Sequence, residues 1–281
     1  MPELPEIEII RRNLEKEIVG RRIRDVEVRP GSNAMKIIPR HGRRKEFQEL
    51  LEGSRVDGVG RAGRVVVIEL DNGRALLVDL GRSARIRKTS ASDPRQPHTH
   101  IVVGFTIGGQ IRISDPKLTG EVAVVERTEL EHGARTQASA IDPLETPLAW
   151  QQFSSLLERR QETMKELLCD ERFICGLGDI YSDEVLFSAG IRYDRASDRL
   201  SSQDVRRLYR SLVETLQEAL KAGGTSWGES EFADLQGNPG QFQLELKVYE
   251  RDGEACRRCR HAIVKASFNG RNTYFCPQCQ A

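Results

Sequence analysis

The chain has 281 residues, 38% of them hydrophobic and 30% charged, with a net charge of +1. That length suits one large domain or two medium ones with ample core, and so balanced a charge singles out no partner by itself. No apolar run approaches the ~20 residues of a membrane span and no signal-peptide pattern opens the chain, so a cytoplasmic protein without a membrane partner is expected.

The chain begins Met1-Pro2-Glu3-Leu4-Pro5-Glu6-Ile7-Glu8. A small second residue favours removal of Met1, which leaves Pro2 with a secondary amine at the chain end. An α-amino group titrates near ~8 and a lysine near ~10.4. At pH 7 roughly a tenth of such terminal amines are free base, against fewer than about one lysine in a thousand. Pro2 is therefore a candidate nucleophile towards a carbonyl-like carbon, passing through an iminium. Glu3 lies beside it as a candidate general acid, and Glu6, about one helical turn on, could hold water. Pro and Glu are also favoured at helix starts for steric and dipole reasons, so these residues alone leave both readings open.

Ile7, Ile10, Leu14 and Ile18 recur at helical spacing and Gly20 stops the run. From Arg21 the pattern becomes short and β-rich. Val65–Leu70, the turn at Asn72-Gly73 and Ala75–Val78 read as a hairpin. Ile101–Ile107 with Gln110–Ile113 make a second hairpin, and Glu121–Val125 a further strand. His98 and His100 alternate on a predicted strand. Many strands after a single helix predict a β-sandwich over residues 1–130. Residues 131–147 are polar, with Asp142-Pro143 and Thr146-Pro147 as breakers, and read as a linker. Helical periodicity follows over Leu148–Glu158, Thr163–Cys169, Ile180–Ala189 and Ser201–Ala222, within a helical domain of residues 148–240. The last of these opens on a serine cap and closes at Gly223-Gly224. The fold class is thus α+β. Trp150 and Trp227 read as packing residues, and Cys169 and Cys175 as small buried side chains.

Basic residues cluster at Arg40, Arg43, Arg44 and Lys45, at Arg82, Arg85, Arg87 and Lys88, and along the C-terminus from Arg251 to Arg271. Three such clusters make an anionic polymer worth considering as partner. Cys256-x2-Cys259-x16-Cys276-x2-Cys279 supplies two thiolate pairs from two knuckles around a hairpin-length span, the pattern of one closed, structural Zn2+ site in a finger over residues 245–281. Arg271, near the hairpin turn, is best placed to enter a groove. Earlier, Gly176-Leu177-Gly178 lies between a helix carrying Lys165 and one opening at Asp179-Ile180-Tyr181; such a turn can bring a phosphate to backbone N–H groups, although it is also an ordinary helix–helix connection.

Taken together, the Pro-Glu-Leu-Pro-Glu start, the β-rich half, Gly178-Asp179-Ile180-Tyr181-Ser182-Asp183-Glu184, Leu246-Lys247-Val248-Tyr249 and the four-cysteine ribbon resemble the formamidopyrimidine-DNA glycosylase/endonuclease VIII family along nearly the whole chain. The resemblance implies a two-layered β-sandwich with an N-terminal helix, joined to a helical domain with a helix–two-turn–helix and a zinc-ribbon hairpin. It also implies a monomer acting on damaged DNA of the bacterial nucleoid, double- or single-stranded, and excising a flipped base. Pro2 would attack C1′, Glu3 would protonate the sugar ring oxygen, and Glu6 would support the site. Abasic-site lysis by β,δ-elimination would follow. Arg64, after Gly63, replaces the family's phosphate-gripping lysine and completes the expected catalytic group. Lys165, Asp179, Arg271, Arg82 and His98 form the expected DNA-binding set. Asp179 stands where the family has asparagine, Arg82 where it has a void-filling methionine, and Leu118-Thr119 where an Arg-Phe pair probes the opposite strand. A DNA-binding protein of this fold that has lost excision is the alternative reading; a zinc-ribbon RNA-binding module leaves the N-terminal residues unexplained.

Overall fold

The computed structural model describes residues 2–29, 35–38, 44–130, 140–144, 150–226 and 232–281. Arg40, Arg43, Trp227 and most of the 131–147 stretch lie outside them. The chain forms two units, one of residues 1–136 with 223–241, the other of residues 137–222 with 242–281. Residues 223–241 are thus grouped with the first unit although they follow helices of the second in sequence.

In the first unit, helix α1 (Leu4–Ile18) buries Leu4, Ile7, Ile10, Leu14 and Ile18 along one stripe, as its periodicity requires. It lies on β3 (Val56–Ala62) and β4 (Val65–Leu70). One sheet runs β2 (Lys36–Ile38), β9 (Glu121–Glu126), β5 (Arg74–Asp79), β4, β3; the other runs β1 (Ile23–Val28), β7 (Thr99–Phe105), β8 (Gln110–Ser114), β6 (Arg85–Thr89). All of these pairings are antiparallel except β2 with β9. These two sheets are the layers of the expected sandwich. Gly73 turns the β4–β5 hairpin at φ +80°, the backbone that Asn-Gly favours.

Two expectations need correction here. A second helix, α2 (Arg44–Leu51), interrupts the β-rich half, burying Phe47 and Leu51 on the side that meets β1 and β9. His98 is not on a strand: it precedes β7 at φ +61°, and this reversal leaves it exposed while His100 turns inward.

The second unit contains α3 (Trp150–Leu157), α4 (Met164–Leu168), α5 (Asp179–Ala189) and α6 (Ser202–Lys221). Ser201 caps α6 reciprocally: Asp204 N–H donates to Ser201 Oγ (3.2 Å) and Ser201 N–H to Asp204 Oδ2 (3.0 Å). Leu208, Leu212, Leu216 and Ala219 form its buried stripe. Trp150 meets Tyr209 edge-on at 5.6 Å, a packing role as expected. Cys169 and Cys175 are only half-buried. The C-terminal hairpin pairs β10 (Val264–Phe268) with β11 (Arg271–Phe275) across Asn269-Gly270, both at positive φ. Among the described residues no helix is long and apolar enough to cross a membrane.

Candidate active site and nucleic-acid interface

The side chains singled out by sequence fall into two groups, one in each unit. In the first unit, Glu3 stands at the N-cap of α1 and Pro5 in its first turn, where a missing N–H costs nothing. Glu3 N–H donates to Glu6 Oε2 at 2.8 Å, and Thr225 N–H donates to Glu6 Oε1 at 2.8 Å. Glu3 is 3% exposed and Glu6 2%, whereas Pro2 is half-buried. Glu6 is thus a bracket between the residue behind Pro2 and the Gly223-Gly224-Thr225 segment, a more definite task than holding water. Gly224 is required there: it sits at φ +82°, and a Cβ on it would come within 2.9 Å of Glu6 Oε1.

Behind this bracket lies a group that sequence reasoning missed. Glu8, almost completely buried, accepts from Arg61 Nε (2.8 Å), Arg11 Nη2 (3.0 Å) and Arg12 Nε (2.7 Å). Spacings of three and four make Arg11 and Arg12 legible as partners; Arg61 reaches it only because α1 packs on β3. Burial alone would raise the Glu8 carboxyl, but the hydrogen bonds and charges of these arginines outweigh it and hold the group below its ordinary value of 4.5. A lowered acid contributes stability above that ordinary value and loses it as the pH falls through the lowered one. Glu8→Gln is therefore expected to cost about 3 kcal/mol at neutral pH by removing the charge opposite the buried Arg61 and to flatten the acid limb of the first unit's stability curve. Thermal melts of both proteins from neutral pH downwards check this; parallel curves would discount Glu8.

Arg64 lies half-buried in the β3–β4 turn after Gly63, whose φ is +56°. Arg82 is exposed on the β5–β6 turn, and its N–H donates to Thr119 Oγ1 (2.9 Å). The 115–120 loop is fastened to the same turn. Asp115 accepts from Ser83 Oγ and, at 2.7 Å, from Gly120 N–H, while Lys117 N–H donates to Ser83 Oγ (3.2 Å). Thr119 is consequently turned back onto the turn, whereas Leu118 holds φ +54° and stands 42% exposed. Asp115 N–H also donates to the His98 carbonyl (3.0 Å), and the buried His100 ring lies 3.0 Å from the Asp115 carbonyl through Nε2. His100 is thereby structural. His98 lines an open groove of about 510 Å³ together with Glu27, Arg29 and Arg95.

In the second unit, Lys165 is 1% exposed and its Nζ donates to Asp183 Oδ1 (2.8 Å), Ser182 Oγ (2.8 Å) and the Asp179 carbonyl (3.1 Å). Those acceptors match an ammonium's three donors. Arg271, immediately after the hairpin turn, puts Nη1 3.1 Å from Asp179 Oδ1, at the first residue of α5. Lys165, Cys169, Asn269 and Arg271 line a cavity of about 210 Å³. In the Gly176-Leu177-Gly178 turn, Gly176 N–H already donates to Glu171 Oε2 (2.8 Å). The next two acids of α5 anchor the ribbon. Asp183 accepts from Thr273 Oγ1 (2.6 Å) and Tyr274 N–H (2.8 Å), and the fully buried Glu184 accepts from the N–H groups of Lys247, Val248 and Tyr249 at 2.9 to 3.0 Å. Both acids lie in the Gly178–Glu184 motif read from the sequence, which assigns neither of them a role.

The four cysteine sulfurs lie within 4.8 Å of one another, with Cys256–Cys279 at 3.9 Å and Cys259–Cys276 at 3.4 Å. A tetrahedron with ~2.3 Å zinc–sulfur bonds has edges of about 3.8 Å. Burial and the neighbouring sulfurs push the Cys279 thiol up to about 12, so this donor set suits a cation that lets the four thiolates share one small volume. The residues fit zinc.

Family models describe the chain in three successive stretches: the N-terminal domain of formamidopyrimidine-DNA glycosylase over residues 1–122, its H2TH domain over 140–230, and the zinc finger found in that enzyme and in an isoleucyl-tRNA synthetase over 253–281. Formamidopyrimidine-DNA glycosylases of Pelotomaculum thermopropionicum and Geobacillus kaustophilus are 34% and 36% identical, each match covering the whole of this chain and 99% and 100% of the relative. A structure of Lactococcus lactis Fpg in complex with abasic-site DNA superposes with a TM-score of 0.87 at 29% identity over 99% of both chains. A second, holding DNA with an N7-benzyl-Fapy-dG, gives 0.87 at 30%. Full-length relatives at this identity, on the same fold and with the same three parts in the same order, place the chain in the formamidopyrimidine-DNA glycosylase family.

Proposed function

We propose that the chain is a bifunctional DNA glycosylase and abasic-site lyase whose nucleophile is Pro2. The observation that carries this reading is the buried Glu3–Glu6–Thr225 bracket directly behind Pro2, which holds a chain end that would otherwise fray. The free-base nitrogen attacks C1′ of the damaged nucleotide, the N–C1′ bond forms, and the glycosidic electrons leave with the base. The nitrogen then sheds its own proton, and as the C1′–O4′ bond opens to the iminium Glu3 delivers a proton to O4′. Loss of the C2′ proton from this iminium then expels the 3′ phosphate, and loss of the C4′ proton from the resulting conjugated iminium expels the 5′ phosphate. Arg64, Arg271 and His98 are read as contacts that hold the backbone of the flipped nucleotide, with Lys165 adding its charge from a buried position. Zinc, when bound, supplies no chemistry of the reaction; Cys256, Cys259, Cys276 and Cys279 would hold it to keep the hairpin that presents Arg271.

The substrate reading goes further. Flipping a base from duplex DNA costs a few kcal/mol in lost stacking and pairing. Thr119 is committed to the Arg82 backbone, and Leu118 offers an apolar surface without the hydrogen bonds of an arginine. Leu118 and Thr119 therefore compensate poorly for an orphaned partner base, and a lesion already unpaired avoids most of the cost. Excision and cleavage should be measured on oxidised purines, oxidised pyrimidines, abasic sites and cross-links, each in single- and double-stranded form. The expected result is a single-strand to duplex activity ratio above that of a relative carrying the Arg-Phe pair, by roughly tenfold. Activity confined to perfect duplex with sharp dependence on the opposite base would overturn the strand preference. Binding without excision or lysis on any substrate would favour a binding protein instead.

A further inference from the structure

Two cations of the second unit stand in contrasting states. Lys165 is sealed in, with each of its three acceptors within 3.1 Å, and a buried ammonium of this kind cannot be drawn out without stranding Asp183. Arg271 is its opposite: the side chain is 48% exposed and is paired with Asp179, itself 36% exposed. The Asp179 carboxylate also lies 3.8 Å from Lys165 Nζ and occupies the first position of α5, where a helix start favours an anion. It thus satisfies what a phosphate would satisfy there: a lysine, an arginine and a helix N-terminus.

We propose that Asp179 is an internal competitor for the DNA phosphate, which must displace its carboxylate from Arg271, and that this residue sets the affinity and salt response of DNA binding. The inference rests on the reading of Arg271 as a phosphate contact. An exposed ion pair is weak enough to open, so Asp179 lowers affinity without blocking it. Its cost has two parts: the pair that is broken, and a carboxylate left near the incoming phosphate. There is also a signature in salt. An arginine that engages a phosphate from solution releases about 0.9 of a counterion. An arginine taken from a carboxylate releases less on balance, because the abandoned carboxylate gathers a cation of its own.

The test is a titration of full-length protein with a labelled oligonucleotide carrying a stable abasic-site analogue, followed from ~50 to ~200 mM salt. Asp179→Asn should tighten binding by about threefold to tenfold at the lower salt and steepen the logarithmic salt slope by up to ~0.9. Arg271→Ala should weaken binding, and adding Asp179→Asn to Arg271→Ala should tighten it less than Asp179→Asn does alone, because only the repulsion between carboxylate and phosphate is then relieved. Asp179→Ala, with melting curves for all proteins, repeats the comparison should the asparagine variant fold poorly. If Arg271→Ala leaves affinity and slope untouched, the phosphate reading of Arg271 fails. If Arg271→Ala weakens binding while neither Asp179 variant tightens it, the competitor is overturned and Asp179 is a helix-start residue alone.

Discussion

Leaving an uncleaved residue in front of Pro2 is expected to abolish the covalent adduct that borohydride traps between this protein and abasic-site DNA. An extension converts the secondary amine into an amide, whose nitrogen has no lone pair to give. Pro2→Gly tests a different property. It retains an amine but removes the ring that fixes φ near −65°, so the nitrogen is no longer held against Glu3 and the start of α1. Orientation of a bound nucleophile contributes several powers of ten to rate, and a loss of ~100-fold or more in trapping is expected from the glycine variant. The bracket makes a graded companion measurement available. Glu6→Gln keeps the size and one acceptor but strands a backbone N–H, either of Glu3 or of Thr225, and should lower trapping less than Pro2→Gly. An undiminished band from the extended protein would remove Pro2 from the mechanism.

Loss of a single ligand from the ribbon should have a comparably large effect on DNA binding. Cys256 and Cys276 are buried beside Phe187, Val248, Ile263 and Tyr274, a core too small to hold a hairpin by itself. Metal binding supplies on the order of 10 kcal/mol to such modules. Cys256→Ser should therefore lose its metal by elemental analysis and release the β10–β11 hairpin that carries Arg271. Affinity for abasic-site DNA should fall by roughly tenfold or more, with a shallower salt slope. The sandwich should still melt cooperatively, because no ribbon residue belongs to the first unit. Stoichiometric zinc in the variant, or unchanged affinity, would show that the cluster does not serve this purpose.

What could be read from the sequence was local. The α6 stripe and its Ser201 cap are written in consecutive residues, as are the Asn72-Gly73 turn and the paired Cys-x2-Cys knuckles, and all were found where expected. α2 is obscured in the sequence although Phe47, Leu50 and Leu51 have helical spacing, because Arg44 and Lys45 at its start continue a basic cluster. His98 and His100 look equivalent in an alternating strand; only a left-handed residue at the strand's entrance separates an exposed ring from a buried one. The Glu8–Arg61 pair and the Glu6–Thr225 bond join residues 53 and 219 positions apart. Contacts of that span depend on the packing of whole elements, and no spacing rule announces them.

The longest of these contacts bears on how the protein is made. Glu6 leaves the ribosome well before its partner, because the amide that engages it belongs to Thr225, 219 positions later. At ~5–20 residues per second, roughly ten to forty seconds of synthesis separate the two. During that interval the setting of Glu6 in the nascent sandwich is incomplete, and any product truncated before Gly223 keeps Glu6 but never acquires its partner. Translation thus delays completion of the Glu3–Glu6–Thr225 bracket until the helices of the second unit have been synthesised.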